Sequence, residues 1–512
     1  MLSVLSICSL FVFADGDSFV PSSYDARLRR IKLPVVEIYT VNGLDPSGTH
    51  MEAPEGLWGV GMRDNEYLEG RMRVTLCDSL LYDSGDGGMK IRLRGNTSSY
   101  YRGKKPYKIK LSKKFDFLFR NDSRYADKEW VLLRIHEGLS KRFLTGYFTG
   151  MFLDLGWQPK WQYVNLVLNG DYKGDYILIE SIKKSKSRID IEDTGYLIED
   201  DAYWWNEDLY FKGNTLIYKT GYTFKYPDAD DVNDSIMSNI RNYILDFEKV
   251  LVDGGEISGY IDVDRFVAWL MAQDILGQSD SAGTNRYLFK KNFDPSDPTS
   301  SPLQMGPLWD FDGALNTEGM WSAIHKRSYG FYFDLLLDRQ DFYSSYVDLW
   351  RNIRKDLYEN IVDSVVRVNN EMGEAIDASR KLDNERWPSS TPYQSLADDI
   401  SEIDEWLETR IKWIDEQLLT RYRVQFVVDG EIYSTDSLIY RDSISYPPLP
   451  EKVGYTFSGW DTIPDIMPAS DLTIRASFMA PTIYDVAGRR HYDPQKLQRG
   501  VYIIDRKKKV VR

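Results

Sequence analysis

The chain contains few of the residues that hold small secreted folds together or bind zinc. Its 512 residues include 2 cysteines and 4 histidines. Two cysteines cannot form a disulfide framework, and Cys8 lies in the apolar segment that opens the chain, so loss of that segment leaves no intrachain disulfide. The histidines do not follow a zinc-ligand spacing. The sequence therefore excludes a disulfide-stabilised scaffold and gives no sign of a zinc site.

Positive charge and long apolar runs are also scarce. The formal net charge is −14, which argues against nucleic-acid binding because such binding needs a clustered basic surface. No stretch after the opening segment reaches the roughly 18 to 20 uninterrupted apolar residues of a membrane-spanning helix. We therefore expect neither a nucleic-acid partner nor a transmembrane segment.

The opening segment, residues 1–15, is predicted to be a signal peptide because it has a short apolar core. It lacks the usual basic residues before that core. A lipoprotein anchor at Cys8 is the weaker alternative, since Ile7 is bulkier than the small residue that such sites usually place there. We expect export, and hence a secreted or cell-surface location.

Apolar periodicity predicts a β-rich first half and a helical second half. The first half reads as a mostly antiparallel sheet with one embedded helix at 140–155, capped by Ser140, and with a type I′ turn at Asn169-Gly170. Its strands are expected at 33–39, 90–94, 107–111, 130–133, 164–168 and 174–179. Later elements are expected to be a helix at 263–276, strands at 286–290 and 303–308, and helices through most of 331–419.

Polar residues near the middle of the chain have the spacing of a phosphoryl-transfer site. Asp280 is followed five residues later by Asn285, and Asp310 comes after two further predicted strands. In kinase-like enzymes, an aspartate that accepts the proton of the attacking hydroxyl precedes an asparagine and a second aspartate that bind magnesium. This pattern assigns Asp280 as the catalytic base and Asn285 and Asp310 as Mg²⁺ ligands. The alternative for Asp280 is a carboxylate in a turn, since its neighbours are turn formers.

Asp312 competes with Asp310 for the metal. If residues 309–311 are extended, the two side chains point to opposite sides of the strand, and only one of them faces the site. The position directly after the strand favours Asp310. Asp312 then orients the loop or binds a second ion.

Other reaction classes lack their motifs. The sequence contains no G-x-S-x-G, no H-E-x-x-H and no cysteine cluster. Paired carboxylates and 14 tryptophans would suit a glycosidase, but a glycosidase leaves the Asp-to-Asn spacing unexplained. A G-x-G-x-x-G loop is absent as well, so the sequence does not indicate a typical protein kinase.

Several strings together resemble the CotH (spore coat protein H) family of atypical protein kinases. They follow the family's order over about residues 33–420: Arg92-Leu-Arg-Gly-Asn96, Lys104-Lys-Pro-Tyr-Lys-Ile-Lys-Leu111, Asn169-Gly-Asp-Tyr-Lys-Gly174, Gly195-Tyr-Leu-Ile-Glu199, Phe224-Lys-Tyr-Pro227, the 280–285 segment and Pro307-Leu-Trp-Asp-Phe-Asp312. Residues 421–479 resemble an internalin-type B-repeat (Listeria–Bacteroides repeat). Residues 480–512 are similar to the sorting modules of type nine secretion substrates.

The resemblance implies an α+β architecture with the bilobal plan of an atypical kinase. The kinase-like domain would span 30–420, with a β-rich N-lobe at about 30–255 and a helical C-lobe at about 256–420. A small β-grasp-like domain at 421–479 and a short β tail at 480–512 would follow it.

The resemblance also implies ATP and Mg²⁺ as cofactors. Arg94 stands where a glycine-rich loop would lie, and we assign it to the phosphates. One of the lysines between 104 and 110 is expected to reach the α/β-phosphates, and we favour Lys108, then Lys105. Glu180 is expected at the hinge that contacts adenine, and a plain strand-end carboxylate is its alternative.

These assignments lead to two hypotheses. The first is an exported, Mg²⁺-dependent atypical protein kinase that transfers the γ-phosphoryl of ATP to Ser or Thr of a secreted or surface protein. The second is a non-catalytic pseudokinase, a binding or adhesion protein displayed at the cell surface through its C-terminal modules. The complete set of Asp280, Asn285 and Asp310 favours the enzyme, because an inactive copy has no need to keep all three.

Overall fold

The structure is a computed structural model that describes residues 24–100, 103–135, 138–278, 285–316, 331–389, 393–462 and 464–512. The predicted signal peptide and the predicted base Asp280 lie outside the described residues. Contacts within the chain divide it into two units, Met1–Ile411 and Lys412–Arg512.

A closed β-barrel forms the first part of the first unit. Its region contains the short helices α1 (Asp25–Leu28) and α2 (Thr97–Tyr100) and the strands β1 (Val35–Thr40), β2 (His50–Glu52), β3 (Val60–Met62), β4 (Leu68–Leu76), β5 (Ser79–Asp83), β6 (Met89–Leu93), β7 (Tyr107–Phe115), β8 (Asp127–Arg134), β9 (Trp161–Leu168) and β10 (Asp171–Glu180). The barrel order is β1-β9-β10-β8-β7-β6-β4, and pairing of β1 with β4 closes the ring. β5 extends the sheet from β4, and β2 and β3 form a separate hairpin.

The barrel strands follow the alternation that the sequence predicts. On β7, Tyr107, Ile109 and Leu111 belong to the barrel core, whereas Lys108 between them is only partly buried on the outer face. Between β9 and β10, Asn169 and Gly170 have φ angles of 52° and 79°. Two consecutive positive φ angles are those of a type I′ turn, so the predicted hairpin is confirmed.

The helix predicted inside this region is confirmed as α3 (Leu139–Phe152). The prediction that Ser140 caps it is wrong. The capping position is Gly138, with φ 69°, and the Ser140 hydroxyl, already inside the helix, is hydrogen-bonded to the hydroxyl of Tyr163 on β9. The Ser140 hydroxyl therefore bonds to Tyr163, a residue distant in sequence, and does not cap the helix.

A second sheet takes its strands from both halves of the chain. It contains β11 (Tyr196–Asp201), β12 (Tyr210–Phe211), β13 (Gly221–Tyr226), β14 (Arg286–Lys290) and β15 (Leu303–Met305), in the order β12-β13-β11-β14-β15. The strands predicted at 286–290 and 303–308 are confirmed, the second ending earlier. The expectation of one sheet in the first half is wrong, because β11 pairs with β14. Buried Asp200 and Arg286 form an ion pair between these two strands, which no local pattern reveals.

Helices make up most of the remaining first unit, and the last of them continues past the unit's final residue, Ile411. They are α4 (Asp234–Asp253), α5 (Val263–Leu276), α6 (Phe333–Asp338), α7 (Gln340–Ile353), α8 (Leu357–Arg386) and α9 (Leu396–Leu418). α5 has the predicted bounds because the Asp262 side chain caps its first turn and Gly277, with φ 54°, ends it. α6 to α9 confirm the helical pattern of 331–419. α4 is a long helix in the first half that the prediction omitted.

The second unit contains two sheets of four strands each. The first consists of β16 (Arg421–Val428), β17 (Glu431–Ile439), β18 (Thr456–Trp460) and β19 (Leu472–Met479), in the order β17-β16-β19-β18 with β16 and β19 parallel. The second consists of β20 (Ile483–Asp485), β21 (Arg490–His491), β22 (Gly500–Ile504) and β23 (Lys507–Val511), in the order β21-β20-β22-β23. The likeness of these parts to a B-repeat and a sorting module stays a prediction.

Throughout the described part of the chain, each helix is either too short or too polar to cross a membrane.

Candidate functional site

Asp310 and Asp312 line one pocket together with two arginines, Arg94 and Arg134. The pocket lies among β8, β10, α3 and the segment 308–312. Its apolar and aromatic lining is Pro106, Leu133, Leu139, Phe143, Tyr147, Pro159, Ile177, Ile179, Leu308, Trp309 and Phe311, and its other polar lining residues are Ser98 and Gln158. The pocket therefore combines an apolar wall with two carboxylates and two guanidinium groups.

The backbone turns at Asp310 instead of continuing as a strand. Residues 309–311 are not in a strand, and Asp310 has φ 57°. The extended backbone that would separate Asp310 from Asp312 is therefore absent, and both residues line the pocket. Asn285, directly before β14, has φ 59°. Aspartate and asparagine adopt this left-handed region more readily than other residues with a side chain.

A glycine on α3 positions the segment that carries both aspartates. A Cβ atom at Gly146 would lie 2.1 Å from Cδ1 of Phe311, so only glycine lets Phe311 approach the helix this closely. The Phe311 ring also meets Phe143 edge-on, with 5.9 Å between ring centroids. Phe311 lies between Asp310 and Asp312 in the sequence, so its packing against α3 determines where the two carboxylates lie.

Two side chains hold the backbone of the same segment. Arg142 Nη1 on α3 donates to the carbonyl oxygen of Asp312 at 2.5 Å. Gln278, two residues after α5, donates from Nε2 to the carbonyl oxygen of Asp310 at 2.9 Å. Gln278 is buried, and the predicted base Asp280 follows it by two positions. The described residue that precedes the predicted 280–285 segment therefore contacts the backbone of Asp310.

The cations around the aspartates come from the barrel. The Arg94 guanidinium lies 5.4 Å from the centroid of the Trp309 ring. Buried Arg134, the last residue of β8, has Nη2 3.9 Å from Oδ2 of Asp312. Burial and the nearby Arg134 charge lower the pKa of Lys105, so Lys105 belongs to the same positive region.

The lysine favoured from the sequence has a different partner. Lys108 Nζ lies 2.7 Å from Oε2 of Glu129 on β8. Burial alone would raise the pKa of Glu129, but the ammonium groups of Lys108 and Lys183 outweigh it and lower that pKa to about 2. Burial lowers the pKa of Lys108, and the nearby charges of Arg92 and Lys183 add to this effect, so that together they outweigh the attraction of Glu129. Lys108 is therefore engaged in an ion pair with Glu129, and neither residue lines the pocket.

Glu180 is wholly buried and its carboxylate is fully engaged. It accepts hydrogen bonds from Arg120 Nη2 at 2.8 Å, from Trp157 Nε1 at 3.2 Å and from the backbone N–H of Lys160 at 3.0 Å. These contacts join the end of β10 to two neighbouring loops. They fit the alternative given for Glu180, a structural carboxylate at the end of a strand. Contact of Glu180 with adenine stays a prediction.

Acidic groups on β11 face the same region. Glu199 and Asp201 lie on one side of the strand, and Glu199 pairs across the sheet with Tyr287 of β14. Burial and then the Glu199 carboxylate raise the pKa of Asp201 to about 7. Burial, followed by Glu199 and with a smaller part from Asp310, raises the pKa of Tyr287 well above its ordinary value. This face of the second sheet therefore lies close to Asp310.

Several pocket residues were not predicted from the sequence, and Arg134 and Gln158 are the two whose polar groups bear most on the site. Arg134 closes the apolar run 131–133 of β8, and a charged residue at the end of a buried strand was the only signal for it. Gln158 lies in the loop between α3 and β9, where no motif marks it. Its role depends on Leu308, which is far away in sequence.

A family model described as CotH kinase protein matches residues 91–414. The match covers more than half of the chain and all the predicted site residues. The chain belongs to the CotH kinase family. Membership indicates a kinase-like protein, which agrees with the resemblance of the sequence strings.

Further comparisons add little to the CotH assignment. A search among curated proteins finds no match. A solved chain from the Shewanella oneidensis MR-1 toxin–antitoxin complex of HipA, HipB and operator DNA is similar at 12% identity and a TM-score of 0.25, with 65% of each chain covered. At this TM-score the likeness carries no argument.

The carboxylates of Asp310 and Asp312 in the pocket suit Mg²⁺ as oxygen ligands. Among the described residues, no group of three or more His, Cys, Asp and Glu side chains surrounds a common metal position. Mg²⁺ does not need such a cage, because it is usually bound by one or two carboxylates together with waters and phosphate oxygens. Asp310 is exposed and Asp312 is partly exposed on the pocket, so both can offer oxygen ligands.

Proposed function

We propose that this protein is an exported, Mg²⁺-dependent atypical protein kinase that transfers the γ-phosphoryl of ATP to Ser or Thr of a secreted or surface protein. The observation that carries the proposal is the composition of the pocket beside α3. Two carboxylates and two guanidinium groups share it with an extensive apolar wall. Such a pocket offers an apolar surface for a nucleoside and charged groups for its phosphates and metal.

Each charged group has a role in this proposal. Asp310, with Asp312 or Asn285, would hold Mg²⁺, which bridges the phosphates and neutralises charge that develops during transfer. Arg94 and Arg134 would bind phosphate oxygens, since guanidinium groups match phosphate geometry. Asp280 would accept the proton of the attacking hydroxyl. Phosphoryl transfer needs positioning and charge neutralisation above all, and these residues supply both.

The proposed location follows from the sequence. The apolar segment at 1–15 supports export, and the two four-stranded sheets of the second unit are proposed to attach the protein to the cell surface. The bilobal kinase plan is part of the same proposal, with the barrel as N-lobe and the helices α5 to α9 as C-lobe.

A transfer assay tests the catalytic part. The full chain is incubated with γ-labelled ATP, Mg²⁺ and a generic protein acceptor. We expect label on the acceptor with the wild type, and a loss of at least a hundredfold in Asp280→Ala, since general-base residues contribute about 10²–10⁴-fold. The melting temperature of the variant should stay at the wild-type value.

Equal transfer by the wild type and Asp280→Ala would refute the assignment of the base. If Mg²⁺-ATP raises the melting temperature of the wild type but no acceptor is labelled, the pseudokinase alternative is supported instead. Acid hydrolysis of a labelled acceptor identifies the modified residue, and label on residues other than Ser or Thr would correct the substrate class.

A further inference from the structure

One buried amide in the pocket has an unused hydrogen-bond donor. Gln158 is 1% exposed and lines the pocket. Its Nε2 has no hydrogen-bond partner among the residues that the structure describes. A buried donor without a partner is unfavourable, and native structures contain few such groups. A ligand in the pocket would satisfy it.

The orientation of this amide is fixed by its other end. Gln158 Oε1 accepts the backbone N–H of Leu308 at 3.2 Å. A backbone N–H can only donate, so the oxygen must face Leu308 and the NH₂ group must lie on the remaining side. A Cβ atom at Gly150 of α3 would lie 3.0 Å from the same oxygen, so the glycine leaves room for the amide. The donor is therefore built into the site by two distant parts of the chain.

The walls beside Gln158 suit a flat, mostly apolar ring. Ile177 and Ile179 lie on β10, and Phe143 and Tyr147 on α3 have nearly parallel rings with centroids 6.2 Å apart. Apolar and aromatic walls beside the Gln158 amide donor match a heteroaromatic ring that has an unprotonated nitrogen. Asp310, Asp312, Arg94 and Arg134 line the same pocket, so the phosphates of the same ligand have partners there.

We infer that Gln158 donates a hydrogen bond from Nε2 to a ring nitrogen of the purine base and is a specificity-determining residue of the nucleotide site. This inference rests on the proposed function, because it takes ATP as the ligand. Adenine has three unprotonated ring nitrogens, N1, N3 and N7, and the amide contacts one of them.

A cycle of ligand and protein changes tests the contact. Affinities of ATP and its 1-deaza, 3-deaza and 7-deaza analogues are measured with Mg²⁺ by calorimetry for the full-length wild type and for Gln158→Met. We expect one analogue to bind the wild type about three- to tenfold more weakly than ATP, because it lacks the nitrogen that accepts one neutral hydrogen bond. In Gln158→Met that analogue and ATP should bind equally.

Gln162→Met is the matched control. Gln162 is also a buried glutamine, but its Nε2 donates to the carbonyl oxygen of Phe117 at 2.6 Å. We expect this change to lower stability while the ratio between ATP and the sensitive analogue stays at the wild-type value. A ratio that falls in both variants would show a general structural effect and would overturn the specific contact.

The wild-type series can overturn the inference even if Gln158→Met fails to fold. ATP binding with all three analogues as tight as ATP would overturn the role of Gln158 and leave the proposed function standing. An analogue that is weaker by an equal factor in the wild type and in folded Gln158→Met would overturn that role in the same way. Failure of the wild type to bind ATP at all would overturn both the inference and the proposed function.

Discussion

At the scale of single residues, Asp310 combines a functional assignment with an unusual backbone. Its φ of 57° lies in the left-handed region, which most residues with a Cβ adopt at a cost of about 1–2 kcal/mol and which aspartate and asparagine tolerate. The left-handed turn therefore restricts which residues can occupy position 310, in addition to any requirement for a metal ligand there.

The turn predicts a stability difference between two substitutions of Asp310. We expect Asp310→Ala to lower the free energy of unfolding by about 1 kcal/mol, because alanine lacks the local hydrogen bonding that supports this backbone. Asp310→Asn should remain within about 0.5 kcal/mol of the wild type, since asparagine adopts the same conformation. Denaturant titration without nucleotide measures both. Equal losses in the two variants would mean that the backbone is not left-handed at Asp310.

The Lys108–Glu129 pair predicts a pH-dependent effect. The pKa of Glu129 is lowered to about 2 from its ordinary 4.5, so the stability that it contributes is present above pH 4.5 and is lost as the pH falls through 2. This contribution is on the order of 3 kcal/mol at most. Lys108→Met removes part of it, and its loss of stability should be largest above about pH 5 and shrink toward pH 2.

Lys113→Met provides the control for this pair. Lys113 is exposed on the same strand, and the residue opposite Glu129 is Lys110, three positions earlier, so replacement of Lys113 should change stability by less than about 0.5 kcal/mol at any pH. Melting temperatures between pH 2.5 and 8 compare the two variants. A pH-independent effect of Lys108→Met would contradict the ion pair.

Site residues could be predicted from the sequence where a local motif marks them, and not where a contact with a distant residue defines their role. Asp310 and Asp312 were found because a short motif marks them. Arg134 and Gln158 were not, because their partners, Asp312 and Leu308, lie more than a hundred residues away. The engagement of Glu180 by Arg120 is likewise a tertiary contact, and no sequence pattern distinguishes it from a free carboxylate.

At the scale of elements, α3 is the support of the candidate site. Phe311 lies against the backbone at Gly146, and Arg142 one turn earlier binds the carbonyl of Asp312. Gln158, in the loop after α3, binds the backbone at Leu308. One helix and the loop after it thus hold the aspartate segment in place.

A side chain at Gly146 should therefore weaken Mg²⁺ binding indirectly, because it would displace Phe311 and with it the proposed metal ligands Asp310 and Asp312. We expect Gly146→Val to displace Phe311, since even a Cβ atom would lie 2.1 Å from it, and to weaken Mg²⁺-dependent ATP binding at least tenfold. Met151→Ala, at an exposed position of the same helix, should bind ATP like the wild type. A folded Gly146→Val variant with unchanged affinity would show that α3 does not position the aspartates.

Elements with local signals were predicted well, and their assembly was not. The β9–β10 hairpin follows from Asn169-Gly170, and the bounds of α5 follow from Asp262 and Gly277. Closure of the barrel depends on β1 pairing with both β4 and β9, and the second sheet depends on β11 pairing with β14. Such long-range pairing is set by packing between distant segments, so single-sequence patterns do not reveal it.

At the scale of the whole molecule, the candidate chemistry lies within the first unit. The pocket residues lie between 94 and 312, and the CotH match spans 91–414, while the first unit ends at Ile411. The second unit contributes two small sheets whose display function is a proposal. Nucleotide binding should therefore be explained by the first unit alone.

The most direct test is a calorimetric titration of ATP into the full chain with and without Mg²⁺, for the wild type and Asp310→Asn. Asp310→Asn keeps the left-handed turn and removes the charge, so it isolates the metal-binding role. We expect Mg²⁺ to strengthen ATP binding by the wild type and this gain to be lost in Asp310→Asn. An identical Mg²⁺-dependent gain in the variant, or no ATP binding by the wild type, would contradict the proposed Mg²⁺–nucleotide site.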